Sequence, residues 1–367
     1  MKRRIFFALF AAVSTLTASA QKITLLVGTY TNECNSNGIY AYDYYTTSGT
    51  AVERSSTQGV VNPSFLTYDP AGFVYSVNEN GADSKASAFT FDKTTAAFRF
   101  LGSQPTNGAD PCYILADDKN VITANYSGGS LTVFRRNPDG SLSAPVQVIP
   151  HRGRGTNPQR QEKSHIHQVQ FTPDRKYVVV NDLGTDQIYL YRYYPVAEKG
   201  ILMLQEAIPV KPGSGPRHLA FSPKGEFAYL LQELDGTITT FSYRNGVFKR
   251  LREDSVVPTG FTGQIGAADI HVSPDGRYLY ATNRGSANDI SIYALGPDGL
   301  PQFRKRIPTK GEGPRNFAFD PSGNFLLVAN QKTSNITVFK VDRISGDLTD
   351  TGNTIKVCSP VCLVFVP

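Results

Sequence analysis

Six side chains able to do chemistry recur along this chain at intervals of about fifty residues: His167 and Asp182, Arg217 and Glu233, Arg284 and Arg315. They occupy two positions of a repeated pattern. The first follows a repeat proline or its substitute and holds Ser64, Cys112, His167, Arg217, Ala268, Arg315 and Val361. The second follows an amide at a strand end and holds Glu79, Tyr126, Asp182, Glu233, Arg284 and Gln331. Positions that carry Ser, Ala or Val in some copies and an imidazole, carboxylate or guanidinium in others are not dictated by packing. Taken singly, any of these groups could be a satisfied polar residue at a channel rim. As a set, cations, an acid and an imidazole predict anion binding combined with proton transfer.

The elements that must position them are strands. Each copy opens on a segment such as Asn62-Pro63-Ser64-Phe65-Leu66, His165-Ile166-His167-Gln168-Val169 or Gly215-Pro216-Arg217-His218-Leu219. A turn such as Ser273-Pro274-Asp275-Gly276 follows, with Pro and Gly where a tight antiparallel turn needs them. A second apolar strand then ends in an amide, read here as Asn78, Asn125, Asn181, Gln232, Asn283 and Asn330. A third strand and an outer strand complete the unit. Four short strands at this period are the blade of a β-propeller. Six copies are complete. The chain closes on Ser359–Pro367, which matches a first strand, while Leu25–Thr29 and Gly38–Tyr42 read as the missing second and third strands. The expectation is an all-β, seven-bladed β-propeller with four-stranded antiparallel blades, spanning 21–367, the last blade closed by the N- and C-terminal strands. With no Trp in the chain, a Trp-Asp repeat scaffold is excluded.

Propeller geometry turns this register into a site, because the first strand of each blade lines the central channel. Both repeat positions then fall at one mouth. The loop 151–163 adds Arg152, Arg154, Arg160 and Lys163 immediately before the His165/His167 strand, where it could fold over the opening. His218 and His271 sit beside apolar residues and read as packing groups. Gly128-Gly129 is a turn with no helix behind it, not a phosphate cradle. Ser127 and Ser130 lack the strand–turn–helix context of a serine nucleophile.

Composition bounds the rest. Lys2, Arg3 and Arg4, a short apolar run and Ala18-Ser19-Ala20 read as a signal peptide over 1–20 with cleavage after Ala20, too short to span a bilayer at the roughly 20 residues required. An exported protein, periplasmic or extracellular and not inserted in the membrane, is expected. Losing three basic residues leaves a net charge of 6 − 3 = +3, too small for a nucleic-acid surface. Cys34, Cys112, Cys358 and Cys362 allow three full pairings in an oxidising compartment, or free buried thiols, and spacing does not choose among them.

The order of Gly28-Thr29-Tyr30-Thr31, Asn125-Tyr126-Ser127-Gly128-Gly129-Ser130, Arg160-Gln161, His165-Ile166-His167, Gly215-Pro216-Arg217-His218, Gln232-Glu233-Leu234, Asn283-Arg284 and Gly313-Pro314-Arg315-Asn316 resembles the lactonase-type seven-bladed propellers over essentially the whole mature chain. That family includes a bacterial 6-phosphogluconolactonase and a fungal carboxymuconate-lactonizing enzyme. The resemblance implies that the family's proposed histidine, two arginines and glutamate fall on His167, Arg217, Arg284 and Glu233. Opening a lactone needs an activated water, cationic donors for the oxyanion and a proton for the leaving alkoxide. Glu233 or His167 is read as the base, and Arg217 and Arg284 as holding the oxyanion and any substrate carboxylate or phosphate. Arg160, His165, Asp182 and Arg315 are read as substrate-binding. No cofactor is expected. The amide ring, with Glu79, Asp182 or Glu233, could ligate a hard cation, but amides repeated in every blade more simply bond the backbone, and no metal is assigned. The partner is then a small anionic or sugar-acid lactone. Export points away from a phosphorylated, cytosolic one. The alternatives are a carbohydrate- or protein-binding propeller and a muconate-type cycloisomerase.

Overall fold

The computed structural model describes residues 21–367, so the signal peptide read over 1–20 lies outside the described residues. Those residues build seven four-stranded antiparallel sheets and one three-residue 3₁₀ turn, Gly81–Asp83. We number the blades from the first whole one: residues 66–105, 111–150, 166–209, 216–255, 267–308 and 314–356 are blades 1 to 6. Blade 7 joins Pro360–Val366 to Lys22–Thr29, Ile39–Tyr45 and Thr50–Ser56.

Burial explains the strand patterns. Second strands such as Asn120–Asn125, Tyr278–Asn283 and Phe325–Asn330 are buried at every residue, since neighbouring blades cover both faces, and they read as continuous apolar runs. Outer strands face solvent on one side and alternate, as Leu142–Pro150 does. The core therefore lies between blades: one cluster joins Tyr229, Leu231 and Ile238 of blade 4 to Ile270, Leu279 and Tyr293 of blade 5.

Two features of register position the site. The first strand of a blade pairs with its second through a bulge at the residue after the repeat proline. Pairing skips Cys112, His167, Arg217 and Arg315 in blades 2, 3, 4 and 6, and Val361 in blade 7. A bulge bends the strand and re-aims one side chain, here toward the channel. The second feature corrects the sequence register of blade 3. Asp182 pairs with Ile166 as Gln232 pairs with Pro216, so Asp182, not Asn181, occupies the strand-ending amide position. The adjacent Asn181-Asp182 pair offers two polar side chains for one slot, and the six-residue strand Tyr177–Asp182 assigns the second to it.

Candidate active site

At one mouth of the channel lies a cavity of about 460 Å³. The residues that follow the second strands supply much of its wall: Tyr30, Glu79, Tyr126, Glu233 and Arg284, from blades 7, 1, 2, 4 and 5. Tyr30 was not among the residues picked out by register. Aligning Thr29 of blade 7 with the amides puts Tyr30 at the same repeat position as Glu233.

Glu233 is the centre of charge. Its Oε2 accepts from Arg217 Nε at 2.9 Å and forms an ion pair with Arg284 Nη2 at 3.1 Å, and its Oε1 accepts from Arg160 Nη2 at 2.7 Å. Burial opposes ionisation, but the guanidinium groups of Arg284, Arg217 and Arg160 outweigh it and hold the carboxyl down to about 2. Glu233 is therefore ionised at neutral pH and a weak proton acceptor there. His167 Nε2 lies 3.9 Å from Glu233 Oε2, and its Nδ1 3.8 Å from the Cys112 thiol. Burial, then Arg217, His218, Arg315 and Arg284, push its pKa well below the usual histidine range, so the ring is neutral at neutral pH.

Arg160, Arg284 and Arg315 line the cavity, as does Lys332, which register did not single out. Arg217 does not. It is 2% exposed, its Nε engages Glu233 and its Nη1 donates to the Ala268 carbonyl, so it anchors the carboxylate from beneath. Arg315 makes no hydrogen bond or ion pair among the described residues, and its guanidinium lies 5.3 Å over the Tyr30 ring. Arg160 also donates to the Tyr126 hydroxyl at 3.2 Å. The other loop cations, Arg152, Arg154 and Lys163, are exposed.

His165 and Asp182 stand outside the cavity. Asp182 accepts from the His165 and Gly184 backbone N–H groups at 2.8 and 3.0 Å and from the Ser164 hydroxyl at 2.7 Å, as expected of a group in the strand-ending slot. His165 stacks on Tyr126, 4.6 Å between centroids, with Nε2 3.1 Å from Glu162, and so supports a cavity wall. His218 and His271 share Asp269, whose oxygens lie 2.7 Å from His218 Nδ1 and 3.0 Å from His271 Nε2. Two of the amides bond within their blades: Asn125 donates to Ser130 and Thr132 at 3.0 Å, and Gln232 to Thr239 at 3.1 Å. Among the described residues no group of three or more His, Cys, Asp or Glu side chains has the arrangement of a metal site.

The fold and the site together define a seven-bladed ring with a guanidinium-clamped carboxylate at one mouth of its channel. The chain belongs to the seven-bladed β-propeller lactonase family, whose description matches residues 24–365. It is 36% identical to the 6-phosphogluconolactonase of Bacillus subtilis over 346 residues, 93% of this chain and 97% of that one. A second 6-phosphogluconolactonase, from Formosa agariphila, is 35% identical over 88% of this chain and 94% of its own. The structure of the periplasmic gluconolactonase of Pseudomonas aeruginosa superposes with a TM-score of 0.89 at 37% identity, covering 95% of this chain and 99% of that one.

Proposed function

We propose that this protein hydrolyses a sugar-acid lactone at the channel mouth. The observation that carries the reading is the convergence of Arg160, Arg217 and Arg284 on Glu233, with His167 3.9 Å away, on the wall of a cavity large enough for a sugar lactone. The carboxylate keeps the guanidinium groups in a fixed array, so donors for a developing oxyanion are oriented before substrate arrives. Arg284 and Arg160 present those donors to the cavity, and Arg217 holds the array from below. Neutral His167 orients the attacking water by hydrogen bonding. Arg315 and Lys332, from the neighbouring blade 6, hold an acidic substituent of the substrate.

Export is part of the same proposal. The Cys34–Cys358 disulfide suits an oxidising compartment, and the Pseudomonas relative is periplasmic by its description. An unphosphorylated aldonolactone is then the natural substrate. A panel of phosphorylated and unphosphorylated aldonolactones, followed by pH-stat, tests this. Turnover should fall by about 100-fold or more in Glu233→Gln and clearly in His167→Ala. Full activity in both variants would remove the site from this mouth. No turnover of any lactone by the wild-type protein would favour a binding propeller.

A further inference from the structure

Hydrolysis needs a proton acceptor; the Glu233 oxygens are engaged by three guanidinium groups, and burial, then Arg217 and its other neighbours, lower the basicity of His167. A second carboxylate faces the same cavity. Glu79 follows the strand Phe73–Asn78 in blade 1 as Glu233 follows Phe227–Gln232 in blade 4, so the two occupy one repeat position across the channel. Their surroundings differ because of one other repeat position. Where blade 4 supplies Arg217 to its carboxylate, the segment entering blade 1 supplies Ser64, whose hydroxyl donates to Glu79 Oε1. The Tyr30 hydroxyl lies 3.0 and 2.9 Å from the two Glu79 oxygens. The Glu79 backbone is fixed as well, its carbonyl accepting from Asn62 Nδ2 at 2.9 Å.

We infer that Glu79 takes the proton from the attacking water and returns it to the ring oxygen, with Tyr30 and Ser64 aiming its carboxylate; this rests on the lactone-hydrolase reading. Water oxygen bonds to the lactone carbonyl carbon as its proton passes to Glu79. The carbon–ring-oxygen bond then breaks, the ring oxygen takes that proton to become a hydroxyl, and the new carboxylic acid ionises into solvent. The electrostatics agree. Burial raises the Glu79 carboxyl above the ordinary range, while Arg315 and the Ser64 and Tyr30 hydroxyls oppose the rise and Asp110 adds to it. Cys112, a further titratable neighbour, is a buried thiol pushed far up and stays neutral. Two carboxylates whose surroundings drive them apart are the expected signature of divided roles, one fixed charge and one proton carrier.

The test is the pH dependence of kcat and KM on glucono-1,5-lactone, with spontaneous hydrolysis subtracted. Glu79→Gln should lower kcat by about 100-fold or more, keep KM within about threefold, and abolish the fall in rate on the acidic side. Tyr30→Phe keeps the ring and removes a donor to the ionised carboxylate, so the acidic limb should move up by about one pH unit, which a packing role would not cause. A Glu79→Gln kcat within threefold of wild type, or an unmoved limb in Tyr30→Phe, overturns the assignment and leaves the lactonase reading standing. A wild-type protein inert toward every lactone overturns both.

Discussion

Burial alone would favour the neutral form of a carboxyl at the Glu233 position, and the guanidinium groups of Arg284, Arg217 and Arg160 reverse that preference. The reversal has a consequence for stability. A carboxyl at about 2 in the fold and near its ordinary 4.5 in the unfolded chain contributes stability that is fully present above about pH 4.5. That contribution, about 3 kcal/mol, is lost as pH falls through the folded value. Glu233→Gln cannot titrate, so its stability should vary less between pH 5 and pH 2 than that of the wild type. Equal slopes in denaturant melts across that range would show that the carboxylate is not held as described. Register alone singled out the identities of His167, Arg217, Glu233, Arg284 and Arg315, because a repeat exposes any position that abandons its packing residue. Orientation was not legible. Arg217 and Arg315 share a repeat position, yet one turns beneath a carboxylate and the other stands unpaired in the cavity, because the residue after the second strand of the same blade is Glu233 in blade 4 and Gln331 in blade 6.

Among elements, the bulged first strands and the loop 151–165 do most to shape the mouth. The bulges were not visible as such, since one extra residue leaves the apolar alternation on either side intact; the visible trace is the proline before each bulged residue in most blades. The loop was visible as a basic stretch, but which of its cations matters is decided by one buried side chain. Gln161 is 0% exposed, donates through Nε2 to the Leu183 carbonyl and to Asp186 at 2.8 Å each, and accepts from the Asn157 N–H at 3.0 Å. It pins the turn that carries Arg160 to Glu233. Arg160→Ala should therefore raise KM for the lactone by about tenfold, the effect of losing roughly 1.4 kcal/mol of binding. Gln161→Ala, which touches no cavity atom, should reproduce most of that rise, and the double variant should be little worse than either alone. Strict additivity of the two in KM would separate the loop anchor from the arginine.

At the scale of the molecule, the ring is closed by pairing between the ends of the chain. Thr24 to Thr29 register against Val366 to Pro360, so every blade is four strands wide and no first-strand edge is left open. This closure was readable from the sequence because the chain stops one strand into a repeat and begins with the strands that repeat lacks. What spacing left undecided was the cysteine pairing. Closure itself resolves it: Cys34, in the loop after the second strand of blade 7, meets Cys358, just before the first, at a Cα separation of 6.0 Å, while Cys112 and Cys362 are buried and free in different blades. The bond joins residues 324 apart in sequence, so it restrains nearly the whole unfolded chain. Loop-closure reasoning then assigns it a stabilisation at the upper end of about 2–5 kcal/mol. It also fixes the loop that carries Tyr30, whose N–H donates to the Ser359 carbonyl at 3.1 Å, and Glu33, which accepts from the Ser359 hydroxyl at 2.6 Å. Cys34→Ser/Cys358→Ser should lower the melting temperature by about 5 °C. Amide exchange should accelerate first in Lys22–Thr29 and Pro360–Val366, and dithiothreitol should have no further effect on that variant. An unchanged melting temperature, or exchange that accelerates evenly around the ring, would mean that the strands of blade 7 hold the circle shut without the covalent link.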